Sequence, residues 1–271
     1  MKRILVASDL SPRSTNALAR AIGLAAQGGA KIRIVHAAAD EEALDARGAL
    51  HRKIATEARI MAEELTRRSL DLTIRISPAG PGHAIVREAE MFGADLVVLG
   101  GHGEPHLRDA IFGTTGTYVV RHCDCPILIV RNDACMPYAK TLIAIDDIEG
   151  APAILAAALG VAPATELFAV HAFSPTFGQA LGEREELEIE KILGAALAGR
   201  TPAKVSAERH GIVETGEALE VIMKETTALQ PDLLVMGTRR RATFLTSHAV
   251  DTLFWCPNDL LVVPERESVD A

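Results

Sequence analysis

A glycine-rich segment, GGHGEPHLRDAIFGTTGT at residues 100–117, has the residue types and spacing best suited to chemistry in this sequence. Glycines allow backbone N–H groups to approach an anion without a clash from Cβ. Thr114 and Thr115 begin a predicted short helix, whose free N–H donors and dipole favour a phosphate group. The segment could instead bind a metal through His102 and His106, or be a surface loop without a ligand. The residues alone leave the phosphate cradle and the plain loop about equally favoured.

Metal binding is the weakest of these alternatives. His102 and His106 are separated by a stretch that contains Pro105, and the nearby Cys123 and Cys125 lack the two-residue gap usual in zinc sites. Cys125 precedes a predicted strand, where a small buried apolar residue fits. We therefore predict no metal ligands in this chain.

Several enzyme signatures are absent from the sequence. It contains no Gly-x4-Gly-Lys-Ser/Thr loop, no Gly-x-Gly-x2-Gly after the first strand and no Gly-x-Ser-x-Gly elbow. No paired acid and base stands out beside the glycine-rich segment. We predict no catalytic residues. At most, the sequence leaves open a slow hydrolysis of ATP.

Strands alternate with helices along the first half, which predicts βαβ units and a parallel sheet. The first helix has Ser11 as its N-cap, Pro12 at its first position and a Gly28–Gly29 stop. Apolar runs predict strands at 3–8, 31–37, 72–77, 95–100 and 126–131, and amphipathic patterns predict further helices at 40–68, 81–93 and 114–122.

The second half repeats the first. KRILVASD recurs as KTLIAIDD, and ADLVVLGG as PDLLVMGT, so that Asp9 corresponds to Asp146 and Gly100 to Gly237, both 137 residues further on. A near-constant shift indicates tandem duplication. Pro137 breaks the pattern between the copies. We predict two domains, 1–134 and 139–267.

The second copy keeps the elements and loses the glycine pattern. Gly237 is retained, but Arg240 replaces the second glycine and Thr246–Ser247 occupy the place of the third. The segment is also about four residues shorter. Residues 239–241, three consecutive arginines, are more typical of a solvated basic patch than of an anion site. We expect a ligand in the first domain only.

Composition narrows the class of protein. The chain has 271 residues, 48% of them hydrophobic, and a formal net charge of −8, which argues against nucleic acid or an anionic membrane as a partner. Four cysteines do not suggest a disulfide scaffold, and no apolar run is long enough for a membrane span or a signal peptide. A cytoplasmic protein is expected.

The spacing Gly100-x2-Gly103-x9-Gly113-Thr114, after an apolar strand and before RHCDCPILIV, resembles the ATP-binding signature of the universal stress protein family. ILVASDLSPRS at residues 4–14 is also similar to that family. The resemblance covers nearly the whole chain as two tandem copies. It implies an α/β fold of two five-stranded parallel open sheets, order 3-2-1-4-5, flanked by helices and similar to adenine-nucleotide alpha hydrolases.

The resemblance also implies a nucleotide site and its ligand, ATP. Asp9 would lie near the ribose and adenine, although its alternative role is that of an acid that only caps the first helix. The backbone of Ala37 would contact adenine. Leu99 and Gly100 would border the ribose. The phosphates would be held by Gly103, Gly113, Thr114 and Thr115. One departure from the family is the interval after Gly103, where Glu104 and Asp109 would repel phosphates and only Arg108 is firmly positive. This makes Mg²⁺ a candidate companion ion.

The leading hypothesis is therefore an ATP-binding regulatory or stress-response protein. A protein-interaction module that binds no nucleotide and a slow ATPase are the alternatives. The last strand of each copy would be an exposed sheet edge, and edges need covering. We expect the two copies to form a pseudo-dimer within the chain, with a further homodimer left open.

Overall fold

The computed structural model divides the chain into two compact units, Met1–Met136 and Pro137–Ala271. The residues that the structure describes are 1–38, 44–101, 114–133, 136–146, 150–173, 187–189, 191–192, 211–239 and 256–265.

The first unit alternates five strands with four helices, as the pattern predicts. All of its strand pairs are parallel, and the strand order is β3-β2-β1-β4-β5. The predicted α/β fold and strand order are confirmed. The elements are β1 (Arg3–Ala7), α1 (Pro12–Gly28), β2 (Lys31–Ala37), α2 (Leu44–Thr66), β3 (Leu72–Ser77), α3 (Pro81–Phe92), β4 (Leu96–Gly100), α4 (Thr114–His122) and β5 (Ile127–Val130).

The first helix forms where its end signals predict it. The Ser11 hydroxyl accepts a hydrogen bond from the Ser14 N–H at 3.3 Å, and Pro12 follows the cap. Gly29 ends α1 in the left-handed region, with φ of 66°. Between these ends the helix buries one apolar stripe against the sheet, comprising Ala17, Leu18, Ala21, Ile22, Leu24 and Ala25.

The strand order places a reversal between β1 and β4. The chain moves outward from β1 to β2 and β3, then crosses to β4 and continues to β5. Right-handed crossovers put α1 and α2 on one face and α3 and α4 on the other. Residues at the carboxyl ends of β1 and β4 therefore border a crevice, which is the usual ligand position in open parallel sheets.

The second unit repeats this arrangement, with strand order β8-β7-β6-β9-β10 and parallel pairing within it. One of its strands, β8 (Gly211–Thr215), was not among the elements predicted from the sequence. The elements are β6 (Lys140–Ala144), α5 (Ala151–Val161), β7 (Glu166–Phe173), β8 (Gly211–Thr215), α6 (Ala218–Leu229), β9 (Leu233–Arg239) and β10 (Asp259–Glu265).

The duplication extends to individual hydrogen bonds. An Asp95 carboxylate oxygen accepts from the N–H groups of Lys2 and Arg3, at 2.6 and 2.9 Å. Asp232, 137 residues later, accepts from the N–H groups of Ala139 and Lys140, both at 2.8 Å. Corresponding aspartates thus fix the start of the central strand in both units.

No helix in the described part of the chain is both long and apolar enough to span a membrane.

Candidate functional site

A cavity of about 280 Å³ lies in the first unit, at the carboxyl ends of β1, β2 and β4. This is the edge where the strand order reverses. Its walls differ in chemistry: the β1–α1 turn supplies polar side chains, and the ends of β2 and β4 with the start of α3 supply mostly apolar ones.

The polar wall is organised around Asp9. Its carboxylate accepts a hydrogen bond from the Ser11 N–H at 2.9 Å, which closes a turn just before α1. Burial acts to raise the pKa of Asp9, but hydrogen bonds from Ser11 and Ser14 outweigh it and leave the pKa below its ordinary value of 3.8. Asp9 is therefore a carboxylate at neutral pH and accepts hydrogen bonds only.

His36 supports the same turn from the end of β2. Its Nδ1 lies 2.7 Å from the Ser8 carbonyl oxygen. A carbonyl can only accept, so Nδ1 carries the proton. In the second unit, His171 Nδ1 lies 2.8 Å from the Ile145 carbonyl oxygen. The repeated geometry indicates a structural role for both histidines.

The apolar wall is made by buried aliphatic groups from three elements. Ala84 and Ile85 of α3, Val35 of β2 and Leu99 of β4 all line the cavity and are at most 5% exposed. Ala37 and Pro81 extend this surface. A flat, largely apolar group can lie against this wall without leaving buried polar atoms unpaired.

The N-terminal ends of three helices border the cavity. Ser14 of α1, Pro81 of α3 and Thr115 of α4 are among its lining residues. The N-cap of α3 is Gly80, which has no side chain to bond the N–H groups of the first turn. Each N-terminus contributes a partial positive charge, so together they favour an anionic ligand.

Gly100 is required here for a reason that the sequence did not show. A Cβ at this position would lie 2.7 Å from the backbone carbonyl carbon and oxygen of Arg13. The end of β4 and the first turn of α1 are therefore in close backbone contact. Glycine is needed for that packing even before any ligand is considered.

The structure brings five of the eight predicted site residues to the cavity: Asp9, Ala37, Leu99, Gly100 and Thr115. Thr114 starts α4, but its side chain lies outside the described residues, as do Gly103 and Gly113. His102, His106, Glu104, Arg108 and Asp109 fall in the same undescribed stretch.

Sequence reasoning missed two contributors to the cavity. Arg13 lines it, and within the described part of the chain it forms no ion pair or side-chain hydrogen bond. The apolar surface of α3 was also missed, at Ala84 and Ile85. The available signal was topological: helices of a parallel sheet begin at the carboxyl edge of the strands, so their first turns face that crevice.

In the second unit, Asp146 stands in the place of Asp9 and is exposed, as Asp9 is. Thr238, which follows Gly237 in β9, is 2% exposed. Arg240, Thr246 and Ser247 lie outside the described residues. Among the described residues of either unit, no group of three His, Cys, Asp or Glu side chains is placed to hold a metal ion.

Comparison with known proteins identifies the class. The model of the universal stress protein family matches residues 1–131 and again 137–264. The chain therefore belongs to the universal stress protein family, with two such domains in tandem. Members of this family often bind adenine nucleotides.

Individual relatives agree with this assignment. Universal stress protein A homolog 1 of Coxiella burnetii is 29% identical over 48% of this chain and 95% of its own length. Universal stress protein MJ0577 of Methanocaldococcus jannaschii is 25% identical over 31% of this chain and 54% of its own length. The crystal structure of a universal stress protein from Archaeoglobus fulgidus matches 97% of this chain and 98% of that one, with a TM-score of 0.74 and 17% identity, which supports the fold.

Proposed function

We propose that this protein binds one adenine nucleotide, ATP, in the cavity of its first unit, and serves a regulatory or stress-response role. The observation that carries the proposal is the cavity itself, which joins an apolar wall, an ionised carboxylate and three helix N-termini at the reversal of strand order. The family assignment supports the same class of ligand.

Each part of a nucleotide has a matching surface. The wall formed by Val35, Ala84, Ile85 and Leu99 suits the faces of a purine ring, which stack on aliphatic groups. Asp9 only accepts hydrogen bonds, so it suits the two hydroxyls of a ribose, which can both donate. A carboxylate would repel phosphates, which places the ribose rather than the phosphates beside Asp9.

The phosphates would then extend toward α4 and the glycine-rich segment. Thr115 and Gly116 at the start of α4 line the cavity, and the helix dipole there favours negative charge. Gly103, Gly113 and Thr114 are proposed to complete this phosphate cradle. Mg²⁺ is a candidate companion ion because Glu104 and Asp109 add negative charge to the same segment.

Calorimetric titration of the full chain with ATP and Mg²⁺ tests this proposal. We expect one nucleotide per chain, and about 10- to 100-fold weaker binding for Asp9→Asn, because a hydrogen bond to a charged acceptor contributes roughly 1.5–3 kcal/mol. The matched control is Asp146→Asn, the corresponding change in the second unit, which should leave the affinity unchanged.

Two results would contradict the proposal. Absence of heat on titration, together with absence of nucleotide released by heat denaturation of the purified protein, would exclude ATP as the ligand. Equal losses of affinity for Asp9→Asn and Asp146→Asn would show that binding is not confined to the first unit.

A further inference from the structure

Two thiols lie in contact at the junction between α4 and β5. The Sγ atoms of Cys123 and Cys125 are 3.4 Å apart. The chain bends at Asp124 and Cys125, and this bend turns both side chains toward each other. Neither cysteine belongs to the cavity described above, and neither forms a disulfide in the structure.

We propose that Cys123 and Cys125 are a redox modification site that forms a reversible intramolecular disulfide on reaction with low-molecular-weight disulfides. An S–S bond is about 2.05 Å long, so the two sulfurs must approach by only about 1.4 Å. The bend brings the two side chains together, and a small rotation about two side-chain torsions would close the remaining distance between the sulfurs.

The two thiols have different access to a reagent. Cys123 is 2% exposed and its N–H donates to the Val119 carbonyl oxygen at 2.8 Å, which holds it at the end of α4. Cys125 is partly exposed. An external disulfide therefore meets Cys125 first, and Cys123 acts as the resolving thiol.

The reaction balances as two thiol–disulfide exchanges. The Cys125 thiolate attacks one sulfur of the reagent, forms a mixed disulfide and releases the other half of the reagent as a thiol. The Cys123 sulfur then attacks the Cys125 sulfur and releases the second half. Overall, the pair loses two electrons and two protons, and one disulfide is reduced to two thiols.

The environment makes this site slow to react and easy to reduce. The hydrogen bond with Cys123, and then burial, raise the pKa of the Cys125 thiol, so little of it is thiolate at neutral pH. A disulfide that encloses a single residue restricts the unfolded chain very little, so it adds little stability. Such a bond is expected to open readily in the presence of excess thiol.

Trypsin separates this pair from the other two cysteines, because Arg121 and Arg131 flank it. Residues 122–131 (HCDCPILIVR) contain only the pair, whereas Cys135 and Cys256 fall in other peptides. The experiment incubates the folded full chain with oxidised glutathione, alkylates the free thiols and measures the mass of each cysteine peptide.

We expect the 122–131 peptide to lose two hydrogens and to fall from two alkyl labels to none, and both labels to return after dithiothreitol. In Cys125→Ser, the same peptide should keep one alkylatable thiol. The proposal is overturned if the end product is a stable glutathione adduct or a link to another peptide. It is also overturned if the peptide stays doubly alkylated under conditions that oxidise it in urea-unfolded protein.

Discussion

Asp9, just before α1, and Arg13, in the first turn of α1, bring opposite charges to a single cavity. Asp9 is fixed by the Ser11 N–H, and its lowered pKa keeps it ionised at neutral pH. Arg13 lies one turn further on and lines the same cavity. If the carboxylate faces the ribose, the guanidinium is the nearby charge available to offset phosphate repulsion. Its positive charge would offset part of the repulsion expected between the phosphates and the carboxylates of Glu104 and Asp109.

At this scale we predict that Arg13→Ala weakens ATP binding by up to about fivefold, since an exposed charge contact is worth at most roughly 1 kcal/mol. Adenosine, which has no phosphate, should bind both proteins equally. Calorimetry with the two ligands measures the difference. Arg121→Ala, an exposed arginine that does not line the cavity, is the matched control. Equal weakening of ATP and adenosine by Arg13→Ala would contradict a phosphate role.

Corresponding helices in the two units end in the same way with different residues. Gly93 ends α3 with φ of 60°, and Gln230, 137 residues later, ends α6 with φ of 47°. In both, the N–H of the terminal residue returns to a carbonyl of the last helical turn. The left-handed conformation costs a residue with a Cβ more than it costs glycine. The second unit thus keeps a strained cap that the first avoids.

We predict that Gln230→Gly stabilises the protein by roughly 1 kcal/mol, because glycine adopts this conformation without a Cβ penalty. Thermal and urea unfolding measure the change. Gln27→Gly in the last turn of α1 is the matched control, since Gln27 is exposed and helical and the change should destabilise by about 0.5–1 kcal/mol. A loss of stability in both variants would show that the cap at Gln230 is not strained.

The whole molecule is two copies of one fold that differ in the residues proposed to bind the nucleotide. Both units have the same strand order and the same carboxylate and histidine devices around the central strand. Only the first has the glycine spacing of the family signature. The proposal of a single nucleotide per chain rests on that asymmetry. The expected pseudo-dimer of the two copies stays a prediction.

At this scale, hydrogen exchange of the full chain with and without ATP and Mg²⁺ should show slower exchange in peptides of residues 1–136 only. Ligand binding stabilises the state that binds it, so local openings around the cavity become rarer. The largest effect is expected in the β1–α1 turn and at the start of α3. Asp9→Asn should remove most of this protection, and comparable protection in residues 137–271 would refute the one-site arrangement.

The sequence by itself determined the elements of the first unit, their order and the duplication. Ser11, Pro12 and Gly29 mark the ends of α1 through local chemistry, and a shift of 137 residues is visible without coordinates.

The tertiary structure decided what surrounds Asp9. Ala84, Ile85 and Arg13 reach the cavity because crossovers bring helix starts to the edge where strands end. The glycine spacing suggested a phosphate site, but the contact of Gly100 with the backbone of Arg13 depends on how β4 and α1 pack. Helix caps and hydrophobic periodicity depend on residues that are near neighbours in the chain. The cavity walls and the contact between β4 and α1 join residues far apart in the sequence, so only the folded chain defines these features.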